Sequence, residues 1–189
     1  MSRRAAAFVL GLALALIAGG LLWWWLQGRA GRSRQGPQPV ETGGPAERMS
    51  VELDFPAGEG LRAERRELQV TAAPKDRIRK IVAALLAGPA SSSGGLGRPF
   101  PQGVILGGVQ LGADGTAYLD LRWEGHADPP AAGSTEELQR VYSLIDSLAA
   151  NVPEVKQVVL LWNGAQRETF SGHLDTSRPL PPDRSLVQR

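Results

Sequence analysis

From Met49 to Phe55 the apolar residues Met49, Val51, Leu53 and Phe55 alternate with Ser50, Glu52 and Asp54. That period of two predicts a strand with one wet face, ended by Pro56. Leu61 to Val70 repeats the alternation at Leu68 and Val70, and its Glu64-Arg65-Arg66-Glu67 run suits an exposed edge. At Pro74 the period changes. Ile78, Ile81, Val82 and Leu85 fall at i, i+3, i+4 and i+7, which predicts a helix stopped by Gly88-Pro89. Val104 to Leu111 and Thr116 to Leu121 flank Asp114-Gly115 and predict a hairpin. Ser134 and Glu137 have the spacing of a capping box, ahead of a second helix that buries Leu138, Val141, Tyr142, Ile145, Leu148 and Ala149 and ends at Asn151. Val155 to Trp162 is nearly all apolar and predicts a central strand, with Asn163-Gly164 turning the chain into a partner at Ala165 to Phe170.

Strand, strand, helix, hairpin, helix, hairpin is an α+β order: a mixed sheet with two amphipathic helices packed on one face. Residues 49–182 hold all of these signals and form one domain of ordinary size. Beyond Gly172 the chain is polar and rich in proline, so a turn strapped to the domain and a loose tail over 183–189 are expected.

Upstream the pattern is of a different kind. Residues 5–26 carry no charge and follow Arg3 and Arg4. As a helix this run is about 33 Å long, enough to cross a hydrocarbon core. Trp23, Trp24 and Trp25 close it as a membrane-interface belt. The expectation is a single transmembrane anchor over 1–27; a cleaved signal peptide would have a shorter apolar core and a small-residue cleavage site. Arg3 and Arg4 on one side balance Arg29, Arg32 and Arg34 on the other, so charge does not set the orientation. Residues 28–48 contain five Gly, three Pro and no aromatic residue, a composition that buries no core and predicts a tether.

Charge then changes one conclusion. The formal net charge of +2 is local to the anchor and tether: residues 1–48 hold six Lys+Arg against two Asp+Glu, whereas 49–189 hold 15 against 17. A mildly acidic domain on a basic stem is no nucleic-acid binder. The sequence has no cysteine, hence no disulfide, no thiolate metal site and no lipid-bearing cysteine.

Candidate chemistry is sparse. His126-Ala127-Asp128 and His173-Leu174-Asp175 each place an imidazole two residues before a carboxylate, so that together they would offer a metal four ligands if the two loops met. The structural alternative is an Asx turn at Asp175, with His173 holding a neighbouring carbonyl, and a solvated loop at His126. Asp120 and Glu124 are the conceivable catalytic carboxylates, although Asp120 at a strand end also suits a turn tie. Trp123 and Trp162 are a candidate sugar platform, or pack half-buried at the sheet edge. No nucleophile elbow, P-loop or dinucleotide fingerprint occurs.

Several segments resemble one family. They are Phe55-Pro56, Leu85-Leu86-Ala87-Gly88-Pro89, Gly133-Ser134, the run Val141 to Leu148, Val155 to Val158, and Gly172-His173-Leu174-Asp175 followed by Pro179-Leu180. In this order they resemble the GerMN domain of GerM-type spore-germination proteins and LpqB-like lipoproteins. The resemblance spans about 130 residues. It implies an extracytoplasmic, non-enzymatic envelope domain without cofactor or metal, in which Gly172, His173 and Asp175 are structural motif positions. Here the apolar run stands where those relatives carry lipid, and nothing in the chain itself speaks of sporulation.

The expected function is a non-catalytic protein-interaction or assembly module on the outer side of the cytoplasmic membrane, binding an envelope protein or itself. Two alternatives remain open: a peptidoglycan or polysaccharide binder using Trp123 and Trp162, and a metal-dependent envelope hydrolase using the histidines.

Overall fold

The computed structural model describes residues 45–90 and 94–188. The expected anchor over 1–27, with Trp23, Trp24 and Trp25, and nearly all of the tether lie outside these residues. No helix among the described residues is long and apolar enough to cross a membrane.

Strand β1 (Glu47–Ala57) and strand β2 (Gly60–Val70) form an antiparallel hairpin in register from Glu47 opposite Val70 to Ala57 opposite Gly60. The strand does not stop at Pro56 as expected. β1 lies at the edge of its sheet, where a residue without an amide hydrogen is tolerated. Val51, Leu53 and Phe55 point into the core. Helix α1 (Pro74–Ala87) follows, with Pro74 in its first turn and Ile78, Ile81, Val82 and Leu85 fully buried, as their spacing predicts. Its last carbonyls are not left orphaned, because the Arg98 guanidinium donates to Leu86 O at 2.8 Å and Ala87 O at 2.6 Å.

Strands β3 (Val104–Leu111) and β4 (Thr116–Trp123) make the second hairpin, with a bulge between Leu106 and Gly108. Helix α2 (Ser134–Asn151) crosses over to strand β5 (Gln157–Trp162), which runs parallel to β4. The turn at Asn163-Gly164 has positive φ at both residues, 53° and 79°, as a primed hairpin turn requires. Its return strand, β6 (Ala165–Gln166), is only two residues long and does not reach the expected Phe170. A 3-10 turn (Arg184–Leu186) and strand β7 (Val187–Gln188) close the described chain.

The α+β class holds, but the single mixed sheet does not. The strands divide into a three-stranded sheet ordered β1-β2-β7 and a four-stranded sheet ordered β3-β4-β5-β6. What keeps them apart is α2, whose side chains take the outer edge of β1: Asn151 Oδ1 accepts from Glu52 N–H at 2.9 Å and Ser147 Oγ from Asp54 N–H at 2.8 Å. The last described residues are not loose either. β7 pairs with β2 at Leu61 and Arg62, and Arg184 reaches back to β1, ion-paired to Asp54 at 2.5 Å and Glu52 at 2.7 Å. Asp54, expected on the wet face, is therefore fully buried beneath this strap.

Candidate interaction surface

The capping box expected at the start of α2 is not formed. Gly133 is the N-cap residue and makes no side-chain bond, and Ser134 is exposed. Glu137 instead turns inward, fully buried, and accepts from Ser171 N–H at 2.6 Å and His173 N–H at 2.8 Å. One carboxylate thus binds the two amides that flank Gly172, whose φ of +112° only glycine adopts readily. Asp175 makes the expected Asx turn, accepting from Ser177 N–H at 2.9 Å and Ser177 Oγ at 2.6 Å. Those hydrogen bonds hold its carboxyl below the usual carboxylate range. Ser171 and His173, on either side of Gly172, thus fasten the chain after β6 onto α2, while Asp175 closes its own local turn with Ser177 and Arg178.

The histidines do not share a site in the arrangement found. The His126 ring stacks on Trp123 at 3.6 Å, 14° from parallel, whereas His173 engages α2 through its backbone. Among the described residues no three His, Asp or Glu side chains gather as a metal cluster. Asp120 is a turn tie, accepting from Gly164 N–H at 2.7 Å and paired with Arg122 at 2.6 Å, while Glu124 is exposed.

Trp123 is half-buried, one ring face against His126 and its edge against the backbone of Gly103. Trp162 is 1% exposed and packs edge-to-face on Phe170 at 5.9 Å. Placing it in a sugar platform, or at a half-buried edge, is therefore incorrect: lying in an interior strand between β4 and β6, it offers no ring face to a ligand.

Two polar centres had no signature in the sequence. Arg140, only 2% exposed, donates to Pro99 O at 3.0 Å and Pro130 O at 2.7 Å, pairs with Glu136 and lies over the Phe100 ring, so it ties two loops to α2. The second is the strap latch. Asp54 and Asp146 are both fully buried, and each keeps one carboxylate oxygen without a hydrogen-bond partner. Burial raises the Asp54 pKa to about 6, against the attraction of Arg184. Burial raises that of Asp146 too, although its Oδ1 accepts from Asp183 N–H at 2.9 Å.

One of the open surfaces is apolar. A groove of about 560 Å³ runs between α1 and β3, lined on the helix by Arg79, Ala83, Leu86 and Ala87 and on the strand by Val104 to Gly108. Within that lining Ile105 is 58% exposed, more than any other large apolar side chain described. The groove and its strand lie within a span that has known relatives. The family model Germane, described as sporulation and spore germination, matches residues 53–168.

The chain belongs to the Germane family. The matched span runs from within β1 to just past β6 and stops short of Gly172 and the strap. Among solved structures, a protein described as a lipoprotein from Clostridium perfringens superposes with a TM-score of 0.51 at 19% identity, over 74% of this chain and 90% of that one. The first GerMN domain of the sporulation protein GerM from Bacillus subtilis gives 0.51 at 18% identity, over 72% and 98%. Its tandem GerMN domains give 0.51 at 16% identity over 82% of this chain, which spans about half, 51%, of the tandem protein. At these identities the likeness is one of fold. No curated protein matches the chain.

Proposed function

We propose that this Germane-family domain is a non-catalytic interaction module of the cell envelope, held beside the cytoplasmic membrane on its outer side by residues 1–27. The carrying observation is how its polar chemistry is used. Glu137 spends both oxygens on backbone amides, Asp120 and Asp175 each divide theirs between a backbone amide and a nearby arginine, and Arg140 spends its guanidinium chiefly on loop carbonyls, while the groove between α1 and β3 stays open and apolar. Buried polar groups committed in this way build a scaffold.

The family's description as sporulation and spore germination, and the uncharged run over 5–26, support the envelope setting. A tether of about 20 residues holds the domain within a few tens of ångströms of its anchor, where effective concentrations reach about millimolar and weak contacts become populated.

In-cell crosslinking of the full-length chain tests this reading. A discrete adduct with itself or with one envelope protein is expected. Avid retention by purified peptidoglycan, lost in Trp123→Ala, would replace it with the glycan-binding alternative.

A further inference from the structure

We infer that the groove between α1 and β3 receives a short extended segment of another protein, which adds to the sheet beside Val104–Leu106 and brings a carboxylate to Arg79. The inference rests on the interaction reading above and names the occupant of its surface.

Three observations converge on this occupant. The first is the strand edge. Among the described residues β3 has β4 on one side and no strand on the other, and its eight residues contain neither a charge nor a proline, the usual guards of an exposed edge. The remaining edges are occupied or guarded. β1 is met at Glu52 and Asp54 by Asn151 and Ser147, β2 is met by β7 and then carries Glu64, Arg65, Arg66 and Glu67, and β6 and β7 have two residues each. The bulge between Leu106 and Gly108 interrupts the edge, so the incoming pairing is short.

The second is the room beside that edge. Ala83 and Ala87 are small and exposed on the overhanging face of α1, with Leu86 between them half-buried. A strand laid beside β3 would point alternate side chains under that overhang, and the others toward the face that Ile105 exposes.

The third is charge. Among the described residues Arg79 lines the groove, no Asp or Glu does, and no ion pair involves Arg79. Helix α1 carries Lys75, Arg77, Arg79 and Lys80 against Asp76 alone, so its field is positive. The β3 of a second copy contains no carboxylate to offer Arg79, so the charge selects a foreign acidic segment over self-pairing.

The test uses the full-length chain in detergent and end-blocked eight-residue peptides that alternate Val and Thr around one central Glu or Lys. The Glu peptide should bind and shift the amide resonances of residues 104–108. Methylating its edge-facing amides should abolish binding, which separates strand addition from simple apolar contact. Arg79→Glu should weaken the Glu peptide about five- to tenfold and favour the Lys peptide. Ala83→Arg, at an exposed position that suits arginine, should block both. The inference falls if the Glu peptide fails to bind at millimolar concentration, if the shifts lie elsewhere, if Ala83→Arg still binds, or if the chain dimerises through β3. A cellular crosslink that survives Ala83→Arg overturns the groove assignment alone; peptide binding without any cellular crosslink overturns the interaction reading alone.

Discussion

Asn151 stands in for a β-strand beside Glu52. Its Oδ1 accepts from Glu52 N–H at 2.9 Å and its Nδ2 donates to Glu52 O at 2.7 Å, the reciprocal pair that a neighbouring strand would supply. The same Nδ2 also donates to Ser147 O at 2.7 Å one turn back, so the amide is locked to its own helix while it closes the sheet. Together with Ser147, whose Oγ takes Asp54 N–H, this side chain lets the end of α2 block strand addition at these positions of β1 and leaves β3 as the long uncharged edge.

Asn151→Ala should therefore cost about 2 kcal/mol, because it strands a backbone donor and acceptor of β1 away from water. Asn151→Asp should also destabilise, since a carboxylate accepts from Glu52 N–H but repels its carbonyl. Chemical denaturation of both variants checks this; wild-type midpoints would show that water replaces the side chain without loss.

The strap latch gives stability a pH dependence of defined sign. With the Asp54 carboxyl at about 6 in the folded chain and 3.8 as an ordinary aspartate, the native state binds a proton more tightly than the unfolded one. Its contribution to stability is thus present at low pH and lost as pH rises from 3.8 to about 6, by up to about 3 kcal/mol. Asp54→Asn should flatten that part of the stability profile. Arg184→Ala should destabilise more at pH 7 than at pH 4, because at pH 7 it leaves a buried carboxylate without its cation. Equal losses at the two pH values would show that Asp54 is not the titrating group.

Local pattern carried most of the fold and little of the surface. α1 is legible because four buried aliphatics sit at helical spacing, and the Asn163-Gly164 turn because the residue types dictate its φ angles. Features that depend on distant partners were not. Asp54 reads as the wet face of a strand because its cover, Arg184, lies 130 positions away in a segment that reads as tail. Glu137 reads as a cap because the amides it binds lie more than 30 positions downstream. The β3 groove arises only when α1 folds over an edge strand, and nothing in Val104 to Leu111 alone announces which side is left unpaired.

The anchor is open to direct test. Full-length chain should remain in membranes after alkaline carbonate washing, with residues 45–188 digested by protease added outside the cytoplasm. A mature N-terminus beyond Trp25, or protection of the domain on the cytoplasmic side, would overturn the proposed topology.

Glu137 and Ser134 separate the helix start that the sequence suggests from the one that forms. Ser134 is exposed and caps nothing, so Ser134→Ala should stay within about 0.5 kcal/mol of wild type. Glu137→Ala leaves Ser171 and His173 N–H without their buried acceptor and should cost about 3 kcal/mol. Glu137→Gln preserves shape but has one oxygen for two donors, so its NH₂ group faces a backbone N–H. It should fall between the two, and flipping the amide cannot rescue it. Amide exchange gives the local readout: in both Glu137 variants Ser171 and His173 should lose protection before the core strands do. If Ser134→Ala is instead the costly change and Glu137→Gln is silent, the capping box is the true helix start and the Glu137 tie to the chain after β6 does not exist.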